Sequence, residues 1–231
     1  MTTPPPSAPG CLAQRTGAEF IATACLLIAV VGSGIAAENL SAGNVALALL
    51  ANALATGAAL FVLILVFAPL SGAHMNPAVS LLAWGGGVLS RREVLAYIAA
   101  QLAGGVAGVV LAHLMFGLSA LDMGTQVRTG PGLWLSEGLA TLGLLGTIAG
   151  CKRYGTPLTA GAVGAYIAGA YWFTASTAFA NPAVTLARSF TDTFTGIRLS
   201  DAPAFVAAQL AATGIAILAG RFLGRNAAIS L

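Results

Sequence analysis

The chain has 231 residues, of which 58% are hydrophobic and only 7% are Asp, Glu, Lys or Arg. A water-soluble domain carries about 25% charged residues to cover its surface, so this composition excludes an ordinary soluble protein and implies one helical bundle with the lipid bilayer as its solvent. A formal net charge of +3 spread over scattered arginines points to no nucleic-acid partner.

Residues 1–14 read as a disordered tail, proline-rich and lacking the apolar run of a cleavable leader. Residues 15–231 read as a single domain. A bilayer core takes about 20 mostly apolar residues per helix. Six stretches meet that need, at roughly 17–37, 45–67, 94–116, 133–150, 158–174 and 203–222. All are dense in Gly, Ala, Ser and Thr, which let membrane helices pack closely. Two further apolar segments, 77–84 and 182–190, are too short to cross, and each follows an Asn and begins with Pro. Proline in the first turn removes no hydrogen bond the helix needs, so each reads as a half-helix that enters the membrane and turns back. Backbone of that kind is tolerated only inside protein or along a water-filled cavity.

The chain repeats itself. Glu19, then Asn76-Pro77-Ala78-Val79, then Ala99-Ala100-Gln101-Leu102-Ala103 in the first half match Glu137, Asn181-Pro182-Ala183-Val184 and Ala207-Ala208-Gln209-Leu210-Ala211 in the second. The copies run from about 15 to 116 and from about 132 to 225. Each has an odd number of crossings, so the second copy is inverted, and paired broken helices in inverted repeats point to a pathway at the membrane midplane. Arg15, Arg91, Arg92, Lys152, Arg153, Arg221 and Arg225 fall on one side, against Arg128 and Arg198 on the other. That asymmetry predicts both termini in the cytoplasm.

Cys11, Cys25 and Cys151 lack metal-ligand spacing and read as small fillers or free thiols. His74 and His113 are too few and too far apart for a metal site. His113 reads as a satisfied interior residue. No nucleophile–base pair or phosphate loop occurs, so the sequence predicts neither an enzyme nor a cofactor.

Ser71 to Ser80, reading SGAHMNPAVS, resembles the first signature loop of the major intrinsic protein family, and Asn181-Pro182-Ala183 is similar to the second. The resemblance spans the chain from about Arg15 to Arg225. It implies an all-α membrane protein of aquaporin-like form: a right-handed bundle of six transmembrane helices plus two re-entrant half-helices meeting end to end. It also implies a homotetramer with one pore per subunit, in the cell (inner) membrane. Asn76 and Asn181 would cap the half-helices and turn their amide N–H groups to passing oxygens. Glu19 and Glu137 would accept backbone N–H groups of the re-entrant loops, and His74 would support the first of these.

The selectivity filter departs from that of water-selective members, which have an Arg directly after the second motif, a His on the fifth helix and a Phe on the second. Counted from the motifs, those positions here are Val184, Gly169 and Thr56, with Ala178 as the fourth. All are small or modest, which predicts a wide and less polar constriction. Arg188, one helical turn beyond Val184, would return the missing positive charge. Tyr171, Trp172 and Phe173 are further candidates for narrowing the outer mouth.

The run from Asn181 to Ser189 resembles a bacterial branch of the family associated with arsenical resistance. The reading is therefore a passive channel for small neutral solutes with water, either glycerol-like polyols or undissociated metalloid acids such as arsenous acid. The alternative is a water-selective aquaporin. A secondary active transporter and a closed-pore structural protein of the same fold are the other classes considered. The first would need a coupling-ion site beyond Glu19 and Glu137, the second an occluded lumen.

Overall fold

The structure, a computed structural model, describes residues 10–222. Its α-helices are α1 (Leu12–Leu40), α2 (Val45–Ser71), α3 (Pro77–Gly85), α4 (Arg91–Met115), α5 (Pro131–Cys151), α6 (Thr156–Phe173), α7 (Pro182–Ala187) and α8 (Ala202–Phe222). Short 3-10 turns, Lys152–Tyr154 and Arg188–Phe190, continue α5 and α7.

Local chemistry sets the ends of these helices. The Asn44 side chain accepts from Leu47 N at the start of α2, and α2 stops at Gly72, whose φ of 91° suits glycine. Ser90 and Glu93 form a reciprocal capping box at α4, so that helix begins at Arg91, ahead of the expected position 94. Proline occupies the first turn of α3, α5, α6 and α7. The first helix also starts early. Leu12, Ala13 and Gln14 belong to α1 rather than to the tail assigned to 1–14, because the Gln14 side chain accepts from Cys11 N and caps the turn. Residues 1–9 of that tail lie outside the described residues.

Among the described residues five helices are long and apolar enough to cross a membrane: α1, α2, α4, α5 with its extension, and α8. The sixth crossing, α6, is 18 residues long, and its glycines, threonines and tyrosines dilute its apolarity. It takes its place by packing between α2 and α5. The contact with α2 is closest where Gly57 faces Gly164. A Cβ on Gly57 would stand 2.7 Å from the Gly164 carbonyl oxygen, so a side chain there would force the helices apart. Leu54, Val62, Val66, Leu139 and Leu218 are exposed, as expected of faces turned to lipid.

The packing follows the inverted repeat. Helix α1 packs on α2 and α4 as α5 packs on α6 and α8, and each half-helix contacts the last helix of both repeats. The two half-helices therefore belong to neither half alone. They bring Asn76 and Asn181 together at the centre of the bundle.

Candidate pore and its signature loops

Both half-helices are capped in the same way. The Asn76 carbonyl oxygen accepts from Ala78 N at 2.9 Å, and that of Asn181 accepts from Ala183 N at 2.9 Å and from Val184 N at 3.3 Å. The amide nitrogens reach across the repeat boundary. Asn76 Nδ2 donates to the Ala180 carbonyl at 2.8 Å, and Asn181 Nδ2 donates to the Met75 carbonyl at 2.7 Å. Each carboxamide has two N–H donors, so one ties the loops together and the other remains.

The loops before these caps contain left-handed residues that are not glycine. Ala73 and Met75 have φ of 49°, and their counterparts Ala178 and Ala180 have 47° and 49°. Each such residue costs of order 1–3 kcal/mol unless its surroundings fix it. Two buried carboxylates do so. Glu19 accepts from Ser71 Oγ, His74 N, Met75 N and Gln101 Nε2 at 2.6 to 2.9 Å. Glu137 accepts from Phe179 N, Ala180 N and Gln209 Nε2 at 2.6 to 2.9 Å. The glutamines also donate to a hydroxyl one turn after each Asn, Gln101 to Ser80 and Gln209 to Thr185. Ser80 Oγ accepts from Gln101 Nε2 and shares a 3.0 Å hydrogen bond with His74 Nδ1. The Glu, Gln and hydroxyl groups form two copies of one polar cluster, related by the repeat.

A cavity of about 60 Å³ passes both Asn caps. Leu26, Val30, Leu60, Ile64, Leu144, Ile148, Val163 and Ile167 give it apolar walls. Its polar positions are His74, Asn76, Asn181, Thr56, Thr159, Tyr171 and Arg188. Toward the outer end Tyr171 Oη donates to Thr56 Oγ1 at 3.3 Å, tying the neighbouring helices α6 and α2 on the cavity wall. Arg188 is buried, donates from Nε to the Thr195 carbonyl, and lays its guanidinium over the Phe179 ring at 3.4 Å.

The loop 116–130 closes over this end. Arg128 donates from Nε to the Gly196 carbonyl at 2.8 Å, and its backbone N–H donates to Asp201. Burial pulls the Arg128 guanidinium below its ordinary range, against the pull of Tyr171 and Glu137. Burial pushes the Asp201 carboxyl up, but hydrogen bonds from Arg198 and from the Arg128 backbone outweigh it and hold it below the usual carboxylate range.

Over residues 11–151 the sequence matches the family described as Major intrinsic protein. Aquaglyceroporin AqpS of Rhizobium meliloti (strain 1021) is 55% identical over 92% of this chain and 91% of its own. The chain belongs to the major intrinsic protein family. Aquaporin TIP1-2 of Zea mays is 41% identical over 47% of this chain and 44% of its own. The crystal structure of the aquaglyceroporin from Plasmodium falciparum superposes with a TM-score of 0.65 at 22% identity, covering 91% of this chain and 95% of that one. That likeness is one of fold: six crossings and two half-helices in a multi-pass membrane bundle.

The structure of this family member brings Asn76, Asn181, Thr56, Ala178, Val184 and Arg188 to one cavity. Pro77, Ala78, Pro182 and Ala183 are buried in the first turns of the half-helices. Gly169 is different. It lies on an exposed face of α6, away from the cavity. Counting back from Asn181 crosses the irregular segment 174–180, which puts the register wrong. The face of α6 turned to the cavity is Thr159, Val163, Ile167 and Tyr171, one per helical turn. Tyr171 therefore lines the cavity where Gly169 was expected, and that part of the wall is bulky rather than empty. Phe179, two residues before Asn181, also lines the cavity. It matches His74, two residues before Asn76, so aligning the repeats offers the signal. His113 is a satisfied interior residue as expected, between the Ser119 carbonyl and Thr191 Oγ1.

Proposed function

We propose that this chain is a passive channel for small neutral solutes: glycerol-like polyols and undissociated metalloid acids such as arsenous acid, with water. The observation that carries the reading is the cavity itself, apolar on most of its wall and polar where it passes Asn76, Asn181 and the outer residues Thr56, Tyr171 and Arg188. A solute with a hydroxylated edge and an apolar edge matches such a lumen. The spare N–H of each Asn donates to a passing oxygen, while the half-helix N-termini set a positive potential at the midplane that opposes cations, as in aquaporin-type pores generally. The name of the Rhizobium relative, an aquaglyceroporin at 55% identity, supports the polyol side of this reading.

The filter is Thr56, Tyr171, Ala178, Val184 and Arg188 in this proposal, with Pro77, Ala78, Pro182 and Ala183 shaping the signature turns. Glu19, Glu137 and His74 support the loops. The unit is a homotetramer in the cell (inner) membrane with one pore per subunit and both termini cytoplasmic. Water selectivity is the second reading, favoured by the bulk of Tyr171 on the cavity wall beside Thr56. Vesicles of the purified protein separate the two when swollen or shrunk in water and glycerol gradients. Glycerol flux well above that of protein-free vesicles is expected. Fast water flux with glycerol at the protein-free level would establish the second reading instead.

The orientation has its own test. Arg91 and Arg92 flank α4 on the same side as Lys152 and Arg153, opposite Arg128 and Arg198. By the positive-inside rule that side is cytoplasmic. Reporters fused at Arg92 and after Leu231 should report cytoplasm, and one at Asp122 should report the exterior. A cytoplasmic signal from Asp122 would overturn the proposed orientation.

A further inference from the structure

The outer mouth carries more positive charge than passage of neutral solutes requires. Two guanidiniums approach one ring there. Arg188 lies 3.4 Å and Arg128 5.3 Å from the centroid of Phe179. Their hydrogen bonds go to neutral acceptors, from Arg188 to the Thr195 carbonyl and from Arg128 to the carbonyls of Gly196 and Phe194. Among the described residues the Arg–carboxylate ion pairs are Arg15–Glu93 and Arg198–Asp201, so neither of these two guanidiniums has a carboxylate counter-ion.

The acids nearby are already committed. Glu137 takes N–H groups of Phe179, Ala180 and Gln209, and Asp201 takes the Arg128 backbone on one oxygen and Arg198 on the other. Arg188 also lines the lumen. Like charges near a low-dielectric wall repel one another strongly, and a planar anion accepting from guanidinium forks relieves that repulsion with short, charge-assisted hydrogen bonds.

We propose that Arg128 and Arg188 form a binding site for a small monovalent oxyanion, a carboxylate of the size of formate, reached from the outer side, and that the bound anion obstructs solute passage. The inference rests on the reading of Arg188 as a lumen residue. Chloride fits the site less well, because a sphere cannot meet two forks in the bidentate manner of a carboxylate.

The test uses purified full-length protein. Calorimetric titration with sodium formate is set against sodium chloride at equal ionic strength, and glycerol flux into vesicles is measured in the same two salts. Formate should bind saturably and inhibit flux, with chloride much weaker in both. Arg128→Gln should raise the half-inhibiting formate concentration about tenfold, the worth of one charge-assisted hydrogen bond. Arg128→Lys should raise it less, and glycerol flux without formate should stay at the parent level in both variants. Equal heats for formate and chloride, or equal inhibition of the parent and Arg128→Gln, would overturn the site. Formate binding without inhibition would overturn the obstruction. Glycerol flux at background without any anion would sink the channel reading, while the calorimetry would still decide the anion site.

Discussion

Replacing Glu19 by leucine is expected to abolish most of the folded channel. The carboxylate is completely buried and accepts four hydrogen bonds, two on each oxygen. Leucine strands Ser71 Oγ, His74 N, Met75 N and Gln101 Nε2 together. A buried donor left without its partner costs about 1–3 kcal/mol, so the four together cost about 4–12 kcal/mol, the scale of a whole domain's stability. The same change releases the loop that holds Ala73 and Met75 at φ of 49°. Glu19→Gln keeps the shape but turns an NH2 toward one of the two donor pairs, so it should be intermediate. Glu137 accepts three hydrogen bonds, and Glu137→Leu should therefore be damaging but less so than Glu19→Leu. Exposed Glu38, which accepts from Phe194 N at 3.2 Å, is the control, and Glu38→Gln should shift little. Thermal unfolding and size-exclusion profiles in detergent report the order. A Glu19→Leu protein that unfolds at the parent temperature would show that the carboxylate does not hold the loop.

That cluster also shows what a sequence can and cannot disclose. Glu19, Gln101 and Asn76 were legible because each occurs twice, at matching places in two copies, and because a charge or an amide inside an apolar run needs a reason. The half-helices were legible from Asn-Pro at the head of runs too short to cross the membrane. The hydroxyls that complete the cluster, Ser80 and Thr185, were not singled out, because small polar residues are common at helix contacts in membranes. They stand four residues after each Asn, and that spacing carries the signal once the repeats are superposed. The cross-repeat bonds from Asn76 to Ala180 and from Asn181 to Met75 have no trace in local sequence. They arise because α3 and α7 meet end to end, which only the packed bundle determines.

The filter failed for a different physical reason. Positions on one helix can be related by counting, since each turn takes about 3.6 residues. Between α6 and α7 the chain runs through left-handed Thr177, Ala178 and Ala180, where that period does not hold. Ala178 and Val184, close to the motif itself, line the cavity. Gly169, on the far side of the irregular segment, does not.

The last expected result follows from that correction. Gly169→His should leave glycerol and water flux at the parent level, whereas Tyr171→Ala should raise glycerol flux several-fold and water flux by less. A Cβ at Gly169 would meet nothing closer than a Phe173 ring carbon at 3.8 Å, on an exposed face of α6. A histidine there sits outside the cavity and leaves its cross-section alone. Tyr171 is buried to 4% exposure, lines the cavity, and hydrogen-bonds Thr56 on the neighbouring helix α2. Truncating it to alanine opens the neck by the volume of a phenol ring. A three-carbon polyol is limited by that width far more than water is, so the ratio of glycerol to water flux should rise. Tyr171→Phe separates the ring from its hydroxyl: it frees Thr56 but keeps the bulk, and the ratio should stay near that of the parent. Val184→Arg acts the other way, since a long cationic side chain from a lumen position should suppress glycerol more than water. Paired water and glycerol shrinkage assays on the same vesicle preparations give every ratio. Glycerol flux lost in Gly169→His, or unchanged in Tyr171→Ala, would mean that the limiting neck is not at Tyr171.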